Sequence, residues 1–353
     1  MLTSWYDPTK TYEENYTEGP FDDLGFDAGE PKGEPAHDFL GHKVYAPFGI
    51  PAGPLLNSAY VSAAFRSGFD IAVYKTVRSD VFPCHPFPNV LAVHVGGDLT
   101  LEQAKKPLVA DVDYRAPLSI TNSFGVPSRS PEVWQADARR AIASAGKGQV
   151  MVLSCMGTVR EGQTPEEFIA DYALAARLAS ETEAPIIEIN LSCPNIGNEG
   201  LVCYNIEMTE RVSQAVREVI DDTPLILKVG YYEDADSIAR LIDVAGRYAQ
   251  SISAINTVQA TIIDVDGAQA LPGPNRSKSG VCGTSIKWAG LAMTERLAKA
   301  REHVGAPLSI IGVGGVMTVD DYRQYRDAGA DAVMSATGAM WNAHLGEEIR
   351  AII

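Results

Sequence analysis

Eight short runs of apolar, mostly β-branched residues recur from about residue 44, each followed by a polar or glycine-rich turn and then a helix-like segment. The runs cover 48–52, 71–74, 150–154, 186–189, 225–227, 252–255, 308–311 and 332–335. Helix-like segments include 131–145, 164–181, 207–220, 235–249, 287–303 and 319–328. Strands that alternate with helices usually pair in parallel under a layer of those helices. Eight such units predict an α/β fold of the (β/α)8 TIM barrel class.

Two intervals between the predicted strands are much longer than ordinary loops. Residues 78–121 follow the second strand and contain an additional predicted strand at 117–120, and residues 258–286 follow the sixth strand. Long loops at the carboxyl ends of barrel strands commonly build the active site or its cover. We therefore expect extended loops over the C-terminal face. For residues 97–116, a surface insertion without chemistry is the simpler alternative.

The region before the barrel differs in composition. Residues 1–43 are acidic, rich in glycine, proline and aromatic residues, and show neither helical nor strand periodicity. They predict an extended acidic N-terminal arm that packs on the surface or on a partner subunit. Residues 44–353 then form the barrel domain, with an insertion near 78–121.

Charge and cysteine usage argue against several classes of protein. The net charge of −16 argues against binding to nucleic acid or to an anionic membrane. The five cysteines are odd in number and form no CxxC pair, which disfavours a disulfide framework, a zinc site or an iron–sulfur cluster in this chain. No run of about 18 apolar residues and no signal peptide is found. A cytoplasmic location without a metal site is expected.

Polar and glycine residues follow all eight predicted strands. These positions are Ala52-Gly53, Lys75-Thr76, Ser154-Cys155, the segment 190–195, Lys228, Asn256-Thr257, Gly314-Gly315 and Ala336-Thr337. A single lysine or asparagine at such a place is usually solvated or part of a turn. Because the carboxyl ends of barrel strands surround one mouth, however, eight such positions in phase predict a polar site with at least two cationic groups.

The segment Asn190-Leu-Ser-Cys-Pro-Asn195 combines two side-chain amides, a hydroxyl and a thiol directly after a predicted strand. Amides that donate and accept hydrogen bonds suit a planar, amide-rich ligand. The thiol of Cys193 can act as a base or nucleophile if its pKa falls from about 8.5 toward neutrality. The alternative is an ordinary turn with an inert buried cysteine.

A phosphate site is predicted at the last two strands. The sequence from Ile311 to Thr318 runs from a strand into a helix, and its glycines allow backbone N–H groups to approach an anion. Ala336-Thr337-Gly338 supplies further backbone groups after the next strand. Phosphate binding at this location is frequent in the fold. Tight turns without a ligand are the alternative, and the spacing is not the GxGxxG of a dinucleotide site.

Over roughly residues 44–345, the chain resembles the dihydroorotate dehydrogenase family. The motifs that carry the resemblance follow the order of that family. They are the segments 47–53, 75–76, 121–127, 190–195, 227–229, 255–257 with 263–264, 280–283 and 312–315. The resemblance implies bound FMN and the oxidation of dihydroorotate to orotate in pyrimidine (UMP) biosynthesis. It is closest to the soluble class 1, which has a cysteine base, and within it to class 1A.

The family's residue roles transfer to matching positions of this sequence. Cys193 matches the base and Lys75 the lysine near the flavin and the substrate carboxylate, so both are expected to be catalytic. The implied substrate-binding residues are Lys75, Asn122, Phe124, Gly125, Val126, Asn190, Asn195, Asn256 and Thr257. The implied cofactor-binding residues are Ala52, Gly53, Lys75, Thr76, Asn122, Asn190, Lys228, Gly283, Gly314, Gly315, Ala336 and Thr337. Phe124 stands where the family more often has an aliphatic residue.

Two alternatives to this function stay open. One is a flavin-dependent dihydropyrimidine dehydrogenase or another ene reductase on the same scaffold, although relatives that reduce uracil or thymine tend to have histidine where Asn195 stands. The other is a flavoprotein without turnover, which the base, two lysines and four asparagines disfavour.

The electron acceptor and the assembly are predicted from fewer residues. The run 201–205 resembles class 1A, which uses fumarate, more than the class with a NAD-linked partner. The lack of an apolar, basic N-terminal helix argues against a membrane quinone. Fumarate is therefore the candidate acceptor beside the small-molecule substrate, and a homodimer is expected.

Overall fold

A computed structural model describes residues 5–21, 28–29, 31, 33–192 and 201–353. Its strands are β1 (His37–Phe39), β2 (His42–Val44), β3 (Phe48–Ile50), β4 (Ile71–Val77), β5 (Val90–Val93), β6 (Leu108–Asp111), β7 (Ser119–Asn122), β8 (Val150–Cys155), β9 (Ile186–Asn190), β10 (Leu225–Val229), β11 (Ser251–Ala254), β12 (Val258–Ile263), β13 (Lys278–Gly283), β14 (Ser309–Val313) and β15 (Ala332–Met334). Its helices are α1 (Tyr12–Glu18), α2 (Ser58–Arg66), α3 (Leu101–Ala104), α4 (Pro131–Ala143), α5 (Pro165–Ser180), α6 (Ile206–Arg217), α7 (Ala235–Tyr248), α8 (Lys287–Val304), α9 (Val319–Asp327), α10 (Thr337–Trp341) and α11 (Leu345–Arg350).

Eight parallel strands close into the main barrel. Their order is β3-β4-β8-β9-β10-β11-β14-β15, and β15 pairs with β3 to complete the ring. Each of these strands overlaps one of the eight predicted runs, and α4 to α9 overlap the six predicted helical segments. The predicted (β/α)8 barrel is therefore confirmed.

Side chains alternate between the inside of the main barrel and its helix-facing side. On β4, Ile71 and Val73 belong to an apolar cluster formed by alternate residues of the barrel strands. Ala72 and Tyr74 belong instead to the larger cluster shared with the helices. Phe39 and Val44 of the β1–β2 hairpin join the inner cluster. Because the side-chain period of a strand is two, a residue two positions beyond a member of this inner cluster also faces the barrel axis.

Local signals at the helix ends explain several boundaries. Thr164 and Glu167 form a capping box at the start of α5, with Pro165 in the first turn. Helix α8 ends at Val304 and is followed by Gly305, which has a φ of 63°, a conformation that glycine adopts readily. Along α7, Ile238, Leu241 and Ile242 lie on one buried face.

The two long intervals fold together into a second, smaller barrel. Its order is β12-β13-β7-β5-β6, with β5 to β7 from the first interval and β12 and β13 from the second. The predicted extra strand appears as β7, and Thr121 of β7 pairs with Val281 of β13. Within 97–116, α3 and β6 belong to this structure, and β6 pairs with β12. The intervals are thus parts of one unit.

The expectation of an arm without regular structure is wrong for two segments. Helix α1 begins with a capping box formed by Thr11 and Glu14. A helix of two turns is too short to show a clear apolar period, so only its cap marks it in the sequence. The β1–β2 hairpin crosses the predicted boundary between residues 43 and 44. The division into arm and barrel domain stays a prediction.

Candidate active site

A cavity of about 940 Å³, counting its open mouth, lies at the carboxyl ends of the main-barrel strands. We call it the main cavity. A smaller adjoining cavity shares several lining residues with it, among them Asn122, Phe124 and Asn190. Strands of both barrels contribute, since Lys228 comes from β10 and Gly283 from β13. No residue of the 97–116 segment lines either cavity.

The structure brings together every predicted site residue that it describes. The main cavity is lined by Ala52, Gly53, Asn122, Phe124, Asn190, Lys228, Asn256, Thr257, Gly283, Gly314, Gly315, Ala336 and Thr337. Lys75, Thr76, Gly125 and Val126 line the adjoining cavity. Cys193 and Asn195 lie outside the described residues. The individual roles of these residues stay predictions.

Strand periodicity positions the two lysines and Asn190. Lys75 lies two residues beyond Val73 on β4, and Lys228 lies two residues beyond Ile226 on β10. Asn190 pairs in register with Lys228. All three side chains therefore face the barrel axis at its carboxyl end, where the sequence argument placed them.

The Lys228 ammonium is buried beside a carboxylate. Its Nζ donates to Ser253 Oγ at 3.4 Å. Burial lowers the pKa of Lys228 to about 8, and the charge of Glu188 acts in the opposite direction. Burial also raises the pKa of Glu188, against which Lys228 and Ser154 act. Neither Glu188 oxygen makes a hydrogen bond of good geometry with the described residues. The charges of these two buried side chains therefore act on each other inside the barrel.

The glycine turn after β14 is closely packed. Gly314 and Gly315 have φ values of 127° and 67°. A Cβ on Gly315 would lie 2.7–2.8 Å from atoms of Lys287, so a side chain does not fit there. The N–H groups of Met317 and Thr318 already donate to Asp321 Oδ2 at 2.9 and 3.0 Å. The backbone N–H groups that are left for an anion therefore lie before Met317 in this turn and after β15.

Two buried arginines hold the loop of residues 122–127, which lines the adjoining cavity and is called here the substrate loop. Arg78 donates from Nε to Val126 O at 2.9 Å and from Nη2 to Gly125 O at 3.1 Å. Val126 and Gly125 have positive φ values of 53° and 76°. Arg276 donates to Ser123 Oγ at 3.1 Å and to Ser123 O at 3.0 Å. These bonds fix a loop conformation that is otherwise unfavourable for a valine.

Internal hydrogen bonds orient the site amides. The amide oxygen of Asn190 accepts from Ser192 N at 3.1 Å, and Asn256 Nδ2 donates to Ser192 O at 2.7 Å. Asn122 Nδ2 lies 3.6 Å from Cys282 Sγ. Each amide therefore enters the cavity in a defined orientation, which is the condition for selective binding of a planar ligand.

Among the lining residues of the main cavity that were not predicted from the sequence, three have titratable side chains: Tyr6, Glu188 and Cys282. Glu188 could have been found, because it is a charged residue within an apolar strand and lies two positions before Asn190. Cys282 lies within the glycine motif 280–283 but was not assigned a role. Tyr6 has no local signal, since only tertiary packing brings it to the site.

No helix of the described chain has the length and apolar character needed to cross a membrane. Among the same residues, no group of three or more acidic, cysteine or histidine side chains could hold a metal ion.

Comparisons with known proteins identify the family of this chain. The family model described as dihydroorotate dehydrogenase matches residues 104–351. A dihydroorotate dehydrogenase of Dictyostelium discoideum is 34% identical over 354 residues, which cover 96% of this chain and 95% of that protein. The catalytic subunit of dihydroorotate dehydrogenase B (NAD(+)) from Brachyspira hyodysenteriae is 31% identical over 51% of this chain and 58% of its own length. The chain belongs to the dihydroorotate dehydrogenase family and is an oxidoreductase.

Proposed function

We propose that this chain oxidises dihydroorotate to orotate with FMN as its cofactor, as a step of pyrimidine biosynthesis. One observation carries the proposal. Lys75 and the amides of Asn122, Asn190 and Asn256 line one small cavity, which adjoins the large cavity bounded by the glycine turn. A cation for a carboxylate and several amides for a planar ring match the groups of dihydroorotate.

The residues of the main cavity fit FMN. Its volume lies within the range of small-molecule sites, and its polar groups are few and directional. The Gly314-Gly315 turn and the Ala336–Gly338 segment are suited to a phosphate, because both line the main cavity and their glycines let backbone N–H groups approach an anion. Gly338 packs directly against the residue after that turn, since a Cβ at Gly338 would lie 2.3 Å from Val316 O. Lys228 would supply positive charge near the ring system. When bound, FMN supplies the hydride acceptor.

The chain's own residues supply orientation and proton transfer. Lys75 binds the carboxylate, and the three amides, with Asn195, hold the pyrimidine ring. Phe124 and Val126 line the adjoining cavity and limit the access of water. Cys193, as the base, takes the proton from the carbon next to the carbonyl. Positioning of this kind can account for a large share of a rate enhancement.

Lys75 favours dihydroorotate over the dihydropyrimidine alternative. A dihydropyrimidine derived from uracil or thymine has no carboxylate, so it cannot make the charge-assisted hydrogen bond that Lys75 offers to the carboxylate of dihydroorotate. Lys75 is 6% exposed, and such a bond is stronger in a buried site than in water. We therefore expect dihydrouracil to reduce the protein far more slowly than dihydroorotate.

Anaerobic reduction of the purified protein tests the proposal. Heat should release FMN, identified by chromatography, and dihydroorotate should bleach the bound flavin. Cys193→Ala should retain flavin but lose about 10²–10⁴-fold in the rate of bleaching, as is typical when a positioned base is removed.

Cys84→Ala is the matched control, because Cys84 lies outside both cavities and burial raises the pKa of its thiol to about 11. Dihydroorotate should bleach the flavin of this variant at the wild-type rate. Release of FAD, or bleaching by dihydrouracil but not by dihydroorotate, would contradict the proposed function.

We also propose fumarate as the electron acceptor. Fumarate, like orotate, is a small planar carboxylate, and the adjoining cavity with Lys75 could accept each in turn. Fumarate should then reoxidise the reduced flavin faster than NAD or a soluble quinone and should compete with orotate. Efficient reduction of NAD by this chain alone would contradict this acceptor.

The same proposal includes a homodimer in the cytoplasm. Light scattering of the purified protein should give twice the mass of 37.9 kDa. A monomer at micromolar concentration would exclude the dimer.

A further inference from the structure

Aromatic residues of the N-terminal region reach the active site. Trp5, Tyr6 and Tyr12 are 1%, 2% and 6% exposed and belong to the large apolar cluster. Of these three, Tyr6 alone lines the main cavity. The next lining residue along the chain is Pro51, so Tyr6 arrives at the cavity independently of the barrel strands.

Tyr6 and Tyr12 both pack on Phe124 of the substrate loop. The rings of Tyr6 and Phe124 are 5.6 Å apart, with an angle of 84° between their planes. The rings of Tyr12 and Phe124 are 5.9 Å apart at 61°. Both are edge-to-face arrangements, which contribute more than the burial of area alone. Phe124 lines both cavities, so these contacts act on a residue within the site.

The segment that carries these tyrosines is fixed to the protein by polar contacts. Asn15 is fully buried, and its Nδ2 donates to the carbonyls of Asp7 and Thr11, each at 2.9 Å. Tyr60 of α2 donates to Asn15 O at 2.8 Å, and Asn57 Nδ2 donates to Tyr16 O at 2.7 Å. Helix α1 is thereby held against α2, and Tyr6 has a defined position rather than that of a loose tail.

The main chain around Phe124 and the Phe124 ring are held by different contacts. Arg78 and Arg276 hold the backbone of the substrate loop through Gly125, Val126 and Ser123. They make no hydrogen bond to the Phe124 ring, whose position depends on packing. That ring makes edge-to-face contacts with Tyr6 and Tyr12. The barrel therefore orders the loop's main chain, and the N-terminal region orders its central side chain.

We propose that Tyr6 is a positioning residue of the reaction site. By packing on Phe124 it fixes the apolar wall of the substrate cavity and so sets the affinity for the planar carboxylate ligand, which is orotate if the proposed function holds. The N-terminal region is then part of the site, and the site of the two barrels is incomplete without it. Tyr6 acts through Phe124, so its effect belongs to ligand binding rather than to the chemical step.

Tyr6→Leu in the full-length, flavin-loaded protein tests this role. The dissociation constant of orotate, followed by the change in flavin absorbance, should rise about 2- to 10-fold, the factor expected for one aromatic pair. The KM for dihydroorotate should rise in parallel, while the rate of flavin reduction at saturation stays within about twofold of wild type. Tyr6→Phe keeps the ring and should restore wild-type affinity.

Trp5→Leu is the matched control. Trp5 is the neighbouring buried aromatic residue, but it packs on Phe69, with ring centroids 6.3 Å apart, and lines neither cavity. It should lower the thermal midpoint without changing the orotate dissociation constant. An equal loss of orotate affinity in Trp5→Leu would show that any loosening of this region has the same effect and would overturn the proposal. An unchanged affinity in Tyr6→Leu would overturn it as well.

Phe124→Leu tests the contact from its other side. It should weaken orotate binding, and adding Tyr6→Leu to it should then have little further effect, since the two side chains act through one contact. Fully additive losses would contradict action through Phe124. If Tyr6→Leu does not fold, Tyr6→Met replaces it in the cycle. Failure of the wild-type protein to bind orotate would instead contradict the proposed function, so the two failures are distinguishable.

Discussion

Burial of the Lys228 ammonium links the stability of the cofactor-free protein to pH. The pKa of Lys228 is about 8 in the folded protein and ordinarily 10.5. Between these values the unfolded chain binds more protons than the folded one, so stability gains from Lys228 as the pH rises from about 8 toward 10.5. Below pH 8 the buried charge is fully destabilising.

Lys228→Met removes this dependence. The stability of wild type relative to the variant should rise between about pH 8 and pH 10.5, whereas the absolute difference at pH 7 also includes the cost of leaving the buried Glu188 without its cation. Urea unfolding of both proteins after removal of the flavin measures this change with pH. Glu188→Gln is the companion variant. Because Glu188 raises the pKa of Lys228, its removal should shift the onset of the pH dependence to lower pH. A difference that stays constant with pH would contradict the assignment.

The two site lysines should give different phenotypes when removed. Lys75→Ala should weaken orotate binding by roughly 1.5–3 kcal/mol, because the product's carboxylate loses a charge-assisted hydrogen bond. Lys228→Met should leave orotate binding nearly unchanged but lower the reduction potential of the bound flavin, because it removes positive charge near the ring system. Titration with orotate and an anaerobic potential measurement on both variants would separate the roles. Identical changes in both would show that the division is wrong.

At the scale of secondary structure elements, Arg276 connects the substrate loop to two other segments, one just before β5 and one between β12 and β13. Besides Ser123, it donates to the carbonyls of Pro86 and Pro88, at 2.8 and 3.1 Å, and to that of Pro272. Arg276→Met would leave several buried carbonyls without partners, so we expect a loss of about 2–4 kcal/mol in stability and weaker orotate binding. Urea unfolding and orotate titration measure the two effects.

Arg217→Met is the control for Arg276. Arg217 likewise donates to several carbonyls, those of Tyr248, Asp221 and Thr223, but it lies on α6 and lines neither cavity. It should lose stability and keep wild-type affinity for orotate. If both variants lost affinity equally, general destabilisation would explain the effect.

Local patterns predicted the elements of the main barrel but, apart from β7, not those of the small one. Strand β10 and helix α7 could be predicted because their apolar residues follow one period over adjacent positions. The small barrel depends on antiparallel pairs between distant segments, such as Thr121 with Val281, and no local pattern specifies such a partner. The glycine turn and the lysines were predicted because strand ends in this fold converge. Tyr6 was missed because its position depends on packing against Phe124 across the whole fold.

At the scale of the whole molecule, the two barrels share one cavity and should therefore unfold together when it is filled. Adding FMN to the cofactor-free protein at 100 times its dissociation constant should stabilise the folded state by about 2.7 kcal/mol. Calorimetry should show one transition that moves to higher temperature as the FMN concentration rises. Two transitions, only one of which responds to FMN, would show that the cofactor contacts one barrel alone.

Gly315→Ala provides the control for that experiment. Its Cβ would collide with Lys287, and alanine is unfavourable at a φ of 67°. The variant should lose most of the FMN-dependent shift, whereas Gly162→Ala, at a surface glycine of similar φ with open space around it, should keep the full shift.

The closure of β15 against β3 has a consequence for synthesis on the ribosome. Phe48 of β3 pairs with Val333 of β15, and the main cavity extends in sequence from Tyr6 to Met340. A nascent chain that has exposed only its first half can form neither the closed ring nor the cavity, because strands of the opposite edge are still missing. Domains fold as units while synthesis proceeds at about 5–20 residues per second. Binding of the proposed cofactor is therefore expected only late in synthesis, and we expect the open, apolar half-barrel that precedes it to be the species most in need of chaperone protection.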